Sequence, residues 1–332
     1  MAKKKTPTLA DLKKSLKSSF KVVEMPVYED LGKVPTGSLI IDKALGGGIP
    51  KGRITYVYAQ EGCGKSTLAA NILANISQEN MVAYIDFEYG MTTAYLETLG
   101  VNMSNLYGGE ENMPIYPATL EEGMTIVEQL IDTGEIKGIV FDSIAAAVPE
   151  MESEQDIRST VVGKKAFKMG QFIRKILSTA AKNGVTMIFL NQMRENITAP
   201  NPYMVDIKPA TKAVDFASSC SIRLKKKTDK EQRDGSAING HLLDVSIEKH
   251  KVPPSILHKG LTTPFIYGIG FSPFDEIITL GLECDVLHMA GSWIKYKDAD
   301  GEEHKWQGRV KLAEILRDNE ELYEMIKGEV FS

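Results

Sequence analysis

Three cysteines in 332 residues (Cys63, Cys220 and Cys284) are too few and too widely spaced for a disulfide scaffold. Three thiols that cannot all pair fit a reducing compartment. No apolar run approaches the roughly 20 residues that span a bilayer. Lysines at positions 3, 4 and 5 are not followed by an apolar stretch, so no secretory leader is expected. Neither sign of charge is in excess: 39 Lys and Arg face 44 Asp and Glu, a formal net charge of −5. That balance excludes a uniformly basic coat protein but leaves room for local basic surfaces. Internal repeats and low-complexity tracts are missing too. With 43% hydrophobic and 25% charged residues, the composition is that of a globular chain and excludes wholesale disorder. The expectation is a soluble, cytoplasmic protein without membrane contact, long enough for a large core and one or two small appendages.

What is present is a rhythm of short apolar strands and helices. Near the start, Thr8 is a candidate N-cap, and Leu9, Leu12, Leu16 and Phe20 recur at helical spacing. Lys13, Lys14, Lys17 and Lys21 cover the other face of this arm. A Gly/Pro-rich stretch at 46–52 precedes the core. Strands are expected at 54–58, 82–86, 139–142 and 185–191, and helices at 65–78, 120–132 and 163–183. Strands this apolar are buried on both faces, which requires an α/β fold with a mainly parallel sheet flanked by helices. Residues 194–215 have no clear period and are expected to form a long loop. Two further strands are expected at 219–227 and 241–250. From about residue 284 a small α+β lobe follows, where Asp300-Gly301 sits between Trp293-Ile-Lys-Tyr296 and His304-Lys-Trp306 as a hairpin signal.

The chemistry begins at Ala59-Gln-Glu-Gly-Cys-Gly-Lys-Ser66, between a strand and a helix. It matches the phosphate-binding pattern G-x-x-x-x-G-K-[ST] except that Ala59 replaces the first glycine. Gly62 and Gly64 let backbone N–H groups converge on one anion at a helix N-terminus. Lys65 is placed to reach the β- and γ-phosphates, and Ser66 to offer a hydroxyl to Mg²⁺. Gln60, Glu61, Cys63 and Thr67 complete the nucleotide-binding segment, with Cys63 read as a small filler. Asp142, at the end of an apolar strand, is the candidate second metal ligand, or else a cap for the next turn. Glu88, just past the strand at 82–86, is the candidate water-activating group, or else a surface carboxylate.

These residues carry a family resemblance. The run Pro35-Thr-Gly-Ser-Leu-Ile-Ile-Asp42, then Ala44-Leu-Gly-Gly-Gly-Ile-Pro-Lys-Gly-Arg53, is similar to the RecA recombinase family. So are Tyr84-Ile-Asp-Phe-Glu88, Phe141-Asp-Ser143, Phe189-Leu-Asn-Gln192 and Lys249-His-Lys251. Asp86-Phe-Glu-Tyr-Gly-Met-Thr-Thr-Ala-Tyr-Leu96 resembles the version in phage members. The resemblance implies three parts: an N-terminal helical arm for subunit contacts (1–34), a RecA-type ATPase core (35–283) and a small C-terminal lobe (284–332). It implies ATP and Mg²⁺ as cofactors, single- and double-stranded DNA as partners, and a helical filament as the assembly. Glu88 matches the family's catalytic glutamate, and Gln192 the glutamine that senses the γ-phosphate. Tyr95 matches the aromatic that packs on adenine. Lys249 and Lys251 match lysines that reach a neighbouring subunit's ATP, and Phe216 matches a subunit-contact phenylalanine. Loops at about 149–163 and 194–215 correspond to DNA-binding loops, with Arg158, Lys164, Lys165, Lys168, Arg174 and Arg194 as candidate contacts. The family's Gly pair in the second loop is replaced by Ala210-Thr211.

The expected function is an ATP- and Mg²⁺-dependent recombinase that forms filaments on single-stranded DNA and catalyses pairing and strand exchange. Two rivals share the same nucleotide site: a RecA-fold ATPase acting on protein partners, or as a ring or helicase, without strand exchange, and a mediator that coats or loads DNA and has lost turnover.

Overall fold

All six residues of the strand Ile54–Ala59 are buried, which only a sheet covered on both sides can satisfy. A computed structural model of the chain describes residues 31–108, 112–150, 162–195, 206–207, 212–227, 240–253, 257–298 and 301–331. For residues 162, 194, 195, 206 and 207 it describes the backbone only. The arm helix expected from Thr8 lies outside the described residues.

In chain order the main sheet comprises β1 (Ile54–Ala59), β2 (Met81–Asp86), β3 (Leu106–Tyr107), β4 (Ile136–Asp142), β5 (Thr186–Gln192), β6 (Cys220–Lys226), β7 (Gly240–His250), β8 (His258–Ile266) and β9 (Gly270–Phe271). Side by side they run β9-β8-β7-β6-β1-β5-β4-β2-β3. The half from β6 to β3 is parallel. Strands β7, β8 and β9 extend it antiparallel.

The helices are α1 (Leu39–Leu45), α2 (Lys65–Ser77), α3 (Thr93–Thr98), α4 (Leu120–Thr133), α5 (Val162–Lys182), α6 (Lys212–Ala217), α7 (Pro273–Glu283), α8 (Arg309–Asp318) and α9 (Glu320–Phe331). Alternate residues of each central strand enter opposite cores, as the two-residue period requires. Val57, Val140, Ile188 and Leu190 pack with Leu68, Ile72 and Ile76 of α2. Tyr56, Tyr58, Phe141 and Phe189 pack with Val127 of α4 and with Phe172 and Ile176 of α5.

Two expectations are corrected. The segment 194–215 is not wholly irregular, since Arg194–Glu195 pairs antiparallel with Asp206–Ile207 and α6 starts at Lys212. The local sequence has no two-residue alternation long enough to reveal such short strands. The lobe's core also begins earlier than residue 284. Ile277, Ile278 and Leu280 of α7 and Ile40 of α1 share one cluster with Leu287, Ile294, Tyr296, Leu312, Leu316, Ile326 and Val330. The lobe's antiparallel strands, β10 (Leu287–Ala290), β11 (Trp293–Lys297) and β12 (Glu303–Gln307), form the expected hairpin around Gly301 and one further strand.

A fully buried carboxylate joins this lobe to the sheet. Glu276 of α7 accepts hydrogen bonds from Ser38 Oγ (2.5 Å), Leu39 N (2.6 Å) and Thr263 Oγ1 (2.5 Å). Burial outweighs these three donors and raises its pKa from 4.5 to about 7. A carboxyl raised in the fold contributes its full stability below the unfolded pKa and loses it as pH rises through the folded value. We therefore expect the unfolding free energy of wild type to fall, relative to Glu276→Gln, by about 2 kcal/mol between pH 5 and pH 7. Guanidinium unfolding of both proteins at the two pH values checks this, and a gap independent of pH contradicts it.

Candidate active site

The site is assembled at the carboxyl ends of adjacent parallel strands, where loops leave the sheet in one direction. Register places Ala59 of β1 beside Gln192 of β5 and Asp86 of β2 beside Asp142 of β4. After Ala59 the chain turns through Gln60, Glu61, Gly62 and Cys63 to Gly64, the N-cap of α2. Gly64 is left-handed (φ 74°) and gives the helix no side-chain cap, so the first-turn amides face outward as an anion site. A Cβ at Gly64 would lie 2.3 Å from the ring of Phe265, which supports the loop from beneath. Cys63 is buried, and its burial raises the thiol pKa, consistent with a filler.

Lys65 is only 6% exposed and its Nζ lies 3.7 Å from Glu88 Oε2. Glu88 Oε1 accepts hydrogen bonds from Ser143 Oγ (2.5 Å) and from Gln192 Nε2 (2.9 Å). One carboxylate thus gathers the phosphate-loop lysine, the residue after Asp142 and the end of β5. Asp142 Oδ2 accepts from the Tyr84 hydroxyl at 2.7 Å, while its Oδ1 is buried with no hydrogen-bond partner among the described residues. Burial raises Asp142 to about 6, against the lowering effect of the Ser66 and Tyr84 hydroxyls. An orphaned carboxylate oxygen near a serine hydroxyl is a hard, all-oxygen donor set that fits Mg²⁺. Beside the first turn of α2, the Tyr95 hydroxyl is 3.0 Å from Thr67 Oγ1.

Lys249 and Lys251 do not enter this site in their own chain. Lys249 Nζ donates to the carbonyls of Asp215 and Phe216, and Lys251 Nζ to the Phe216 carbonyl at 3.1 Å. Two cations thereby cap the C-terminus of α6. The Phe216 side chain is 74% exposed.

Of the expected DNA contacts, Lys164 and Arg174 are exposed on α5. Lys165 donates to the Ala145 carbonyl at 2.8 Å, and Lys168 is paired with Glu121. Arg158 lies outside the described residues, and only the backbone of Arg194 is described.

Sequence reading gave Tyr84 only as part of a family motif, without its bond to Asp142, and did not single out Phe265 or Gly270. A Cβ at Gly270 would lie 2.6 Å from Thr67 Cγ2. These contacts come from strands far away in sequence, and only the apolar character of each residue was visible beforehand.

A family model described as the RecA N-terminal domain matches residues 8–272. The Protein RecA of Porphyromonas gingivalis is 36% identical, over 98% of this chain and 96% of its own length. That of Bacillus subtilis is 34% identical over 90% of this chain and 82% of its own length. That of Lactobacillus johnsonii is 34% identical over 92% and 81%.

We expect Gly64→Ala to weaken nucleotide binding about tenfold or more, because a side chain in the left-handed region costs ~1–2 kcal/mol even before the clash with Phe265. Titration with a fluorescent ATP analogue measures this, and wild-type affinity in the variant contradicts it.

Proposed function

The chain belongs to the RecA family, and we propose that it is a strand-exchange recombinase whose Mg²⁺-dependent ATP hydrolysis is switched on by assembly on single-stranded DNA. The observation that carries this reading is the meeting of Lys65, Ser143 and Gln192 on the single carboxylate of Glu88.

In this reading the amides of Gly62 to Thr67 and the Lys65 ammonium receive the triphosphate, and Tyr95 packs on the base. Ser66 and Asp142 would hold Mg²⁺, which would supply Lewis-acid stabilisation of the charge developing on the phosphate. Glu88 orients a water and takes its proton. Lys65 Nζ is paired with Glu88 at 3.7 Å. An arriving phosphate competes for that ammonium and leaves the carboxylate free to act.

Gln192 ends the strand that leads into the segment 194–215. A γ-phosphate that draws Gln192 away from Glu88 is therefore felt at the start of the proposed DNA-binding loop. Lys249 and Lys251 sit at the other end of the same segment. Delivered to a neighbouring protomer's nucleotide, they stabilise transition-state charge only in the assembled filament. Arg158, Lys164, Arg174 and Arg194 supply phosphate contacts to DNA. Lys165 and Lys168 join them only after leaving Ala145 and Glu121. Homology is read by base pairing while the protein holds the backbone. We place the protein in the cytoplasm, that of the host if it is phage-encoded, a reading supported by its three free thiols.

Joint-molecule formation between single-stranded DNA and a homologous duplex, with Mg²⁺ and ATP, tests the proposal. Glu88→Gln should lower turnover about 10²–10⁴-fold while ATP-dependent binding to single-stranded DNA persists. Lys249→Ala or Lys251→Ala should leave ATP binding nearly unchanged and abolish DNA-stimulated turnover. DNA-stimulated turnover unchanged in either lysine variant contradicts the role in trans, and an absence of joint molecules with wild type contradicts strand exchange.

A further inference from the structure

Glu88 is held from outside by Lys65, Ser143 and Gln192, which contact its side chain. What sets its backbone is a different residue. Asp86 is the last residue of β2 and is 1% exposed. If the strand continued straight, Glu88 would stand on the same face as Asp86, two residues further along. Instead the chain curls around the Asp86 carboxylate. Oδ1 accepts the Glu88 N–H at 2.9 Å and Oδ2 accepts the Met91 N–H at 2.9 Å. Between them, Tyr89 takes a left-handed conformation (φ 54°).

The loop is then pinned at its flanks. Phe87 N donates to the Asp142 carbonyl at 2.6 Å, tying it to the strand of the metal-site aspartate. The Tyr116 hydroxyl donates to the Met91 carbonyl at 2.9 Å, and the Tyr89 ring stacks on Tyr116 (5.6 Å, 9°).

Only a carboxylate can offer two acceptor oxygens to two diverging backbone donors. An amide offers one oxygen and would turn its own NH₂ toward the second N–H. A buried acid in this position is costly unless its hydrogen bonds are made. Here backbone amides of the loop that carries Glu88, those of Glu88 and Met91 among them, supply these bonds.

We infer that Asp86 is the positioning residue of the hydrolytic site, holding the loop 87–91 so that the Glu88 carboxylate reaches the attacking water. The inference rests on the reading of Glu88 as the water-activating group. It assigns Asp86 no contact with nucleotide, so its effect must pass through Glu88 alone.

The test is a double-mutant cycle on DNA-stimulated ATP turnover with Asp86→Asn, Glu88→Gln and the double variant. A displacement of about 1 Å at a catalytic group costs up to ~100-fold. Asp86→Asn should therefore lower kcat about 10- to 100-fold while the KM for ATP stays within about twofold. In the Glu88→Gln background the same change should lower kcat no further, because residues that act as one unit are non-additive.

Wild-type kcat in Asp86→Asn, or a loss that multiplies in the double variant, overturns the inference. So does a kcat loss matched by an equal rise in KM, which is the mark of general disruption. If Glu88→Gln alone leaves turnover intact, the reading of Glu88 fails, and the inference about Asp86 with it. Should Asp86→Asn fail to fold, Asp86→Ser keeps an acceptor for one amide only, and the same outcomes decide.

Discussion

Every chemical group of the site depends on the register of the adjacent parallel strands β1, β5, β4 and β2. Ala59 lies beside Gln192, Phe141 beside Phe189, and Asp86 beside Asp142. A slip of one residue in any strand would turn its side chains to the other face. That would send Tyr56 and Phe189 into the wrong core and carry Gln192 or Asp142 away from Glu88. Burial on both faces fixes the register, so the packing that stabilises the sheet also aims its loops. The catalytic geometry needs no separate scaffold.

The same sheet gives the site a closed charge balance. Lys65 is withdrawn from water and is paired with Glu88, whose side chain stays 25% exposed, so the cation is not left buried and uncompensated. Asp142 has one oxygen satisfied by Tyr84 and one without a hydrogen-bond partner among the described residues. The site thus holds a cation that a phosphate can draw from Glu88, and a carboxylate oxygen open to a metal ion. A metal–polyphosphate satisfies both at once, whereas a free phosphate or a lone metal ion satisfies one. This is a physical reason for the two to bind together.

Much of this was legible in the sequence, and the reasons are local. The phosphate loop is a contiguous segment whose glycines and lysine have one economical use. The strands ending at Asp86, Asp142 and Gln192 are short, apolar runs bounded by turns. The positions of Lys249 and Lys251 were legible only as family equivalents, and their observed role as caps on the Phe216 carbonyl was not. Strands β8 and β9 escaped notice because Pro264 and Gly270 interrupt the alternation, although each pairs with the strand just before it in the chain. Phe265 beneath Gly64 and Glu276 on Ser38 at the start of α1 are contacts across long stretches of chain. No window of sequence contains both members. The candidate site was thus visible as a set of residues, and its supports were not.

In the proposed function, assembly on DNA and the hydrolytic centre are one system, joined through Gln192 at one end of the segment 194–215 and Lys249 and Lys251 at the other. The most direct measurement is ATP turnover per protomer as a function of the length of single-stranded DNA, at low salt with Mg²⁺. Little turnover is expected without DNA, and a rate per protomer that rises with length as neighbours are added, then levels off. Steady turnover indifferent to DNA, or equal on oligonucleotides that hold one protomer and many, would contradict it.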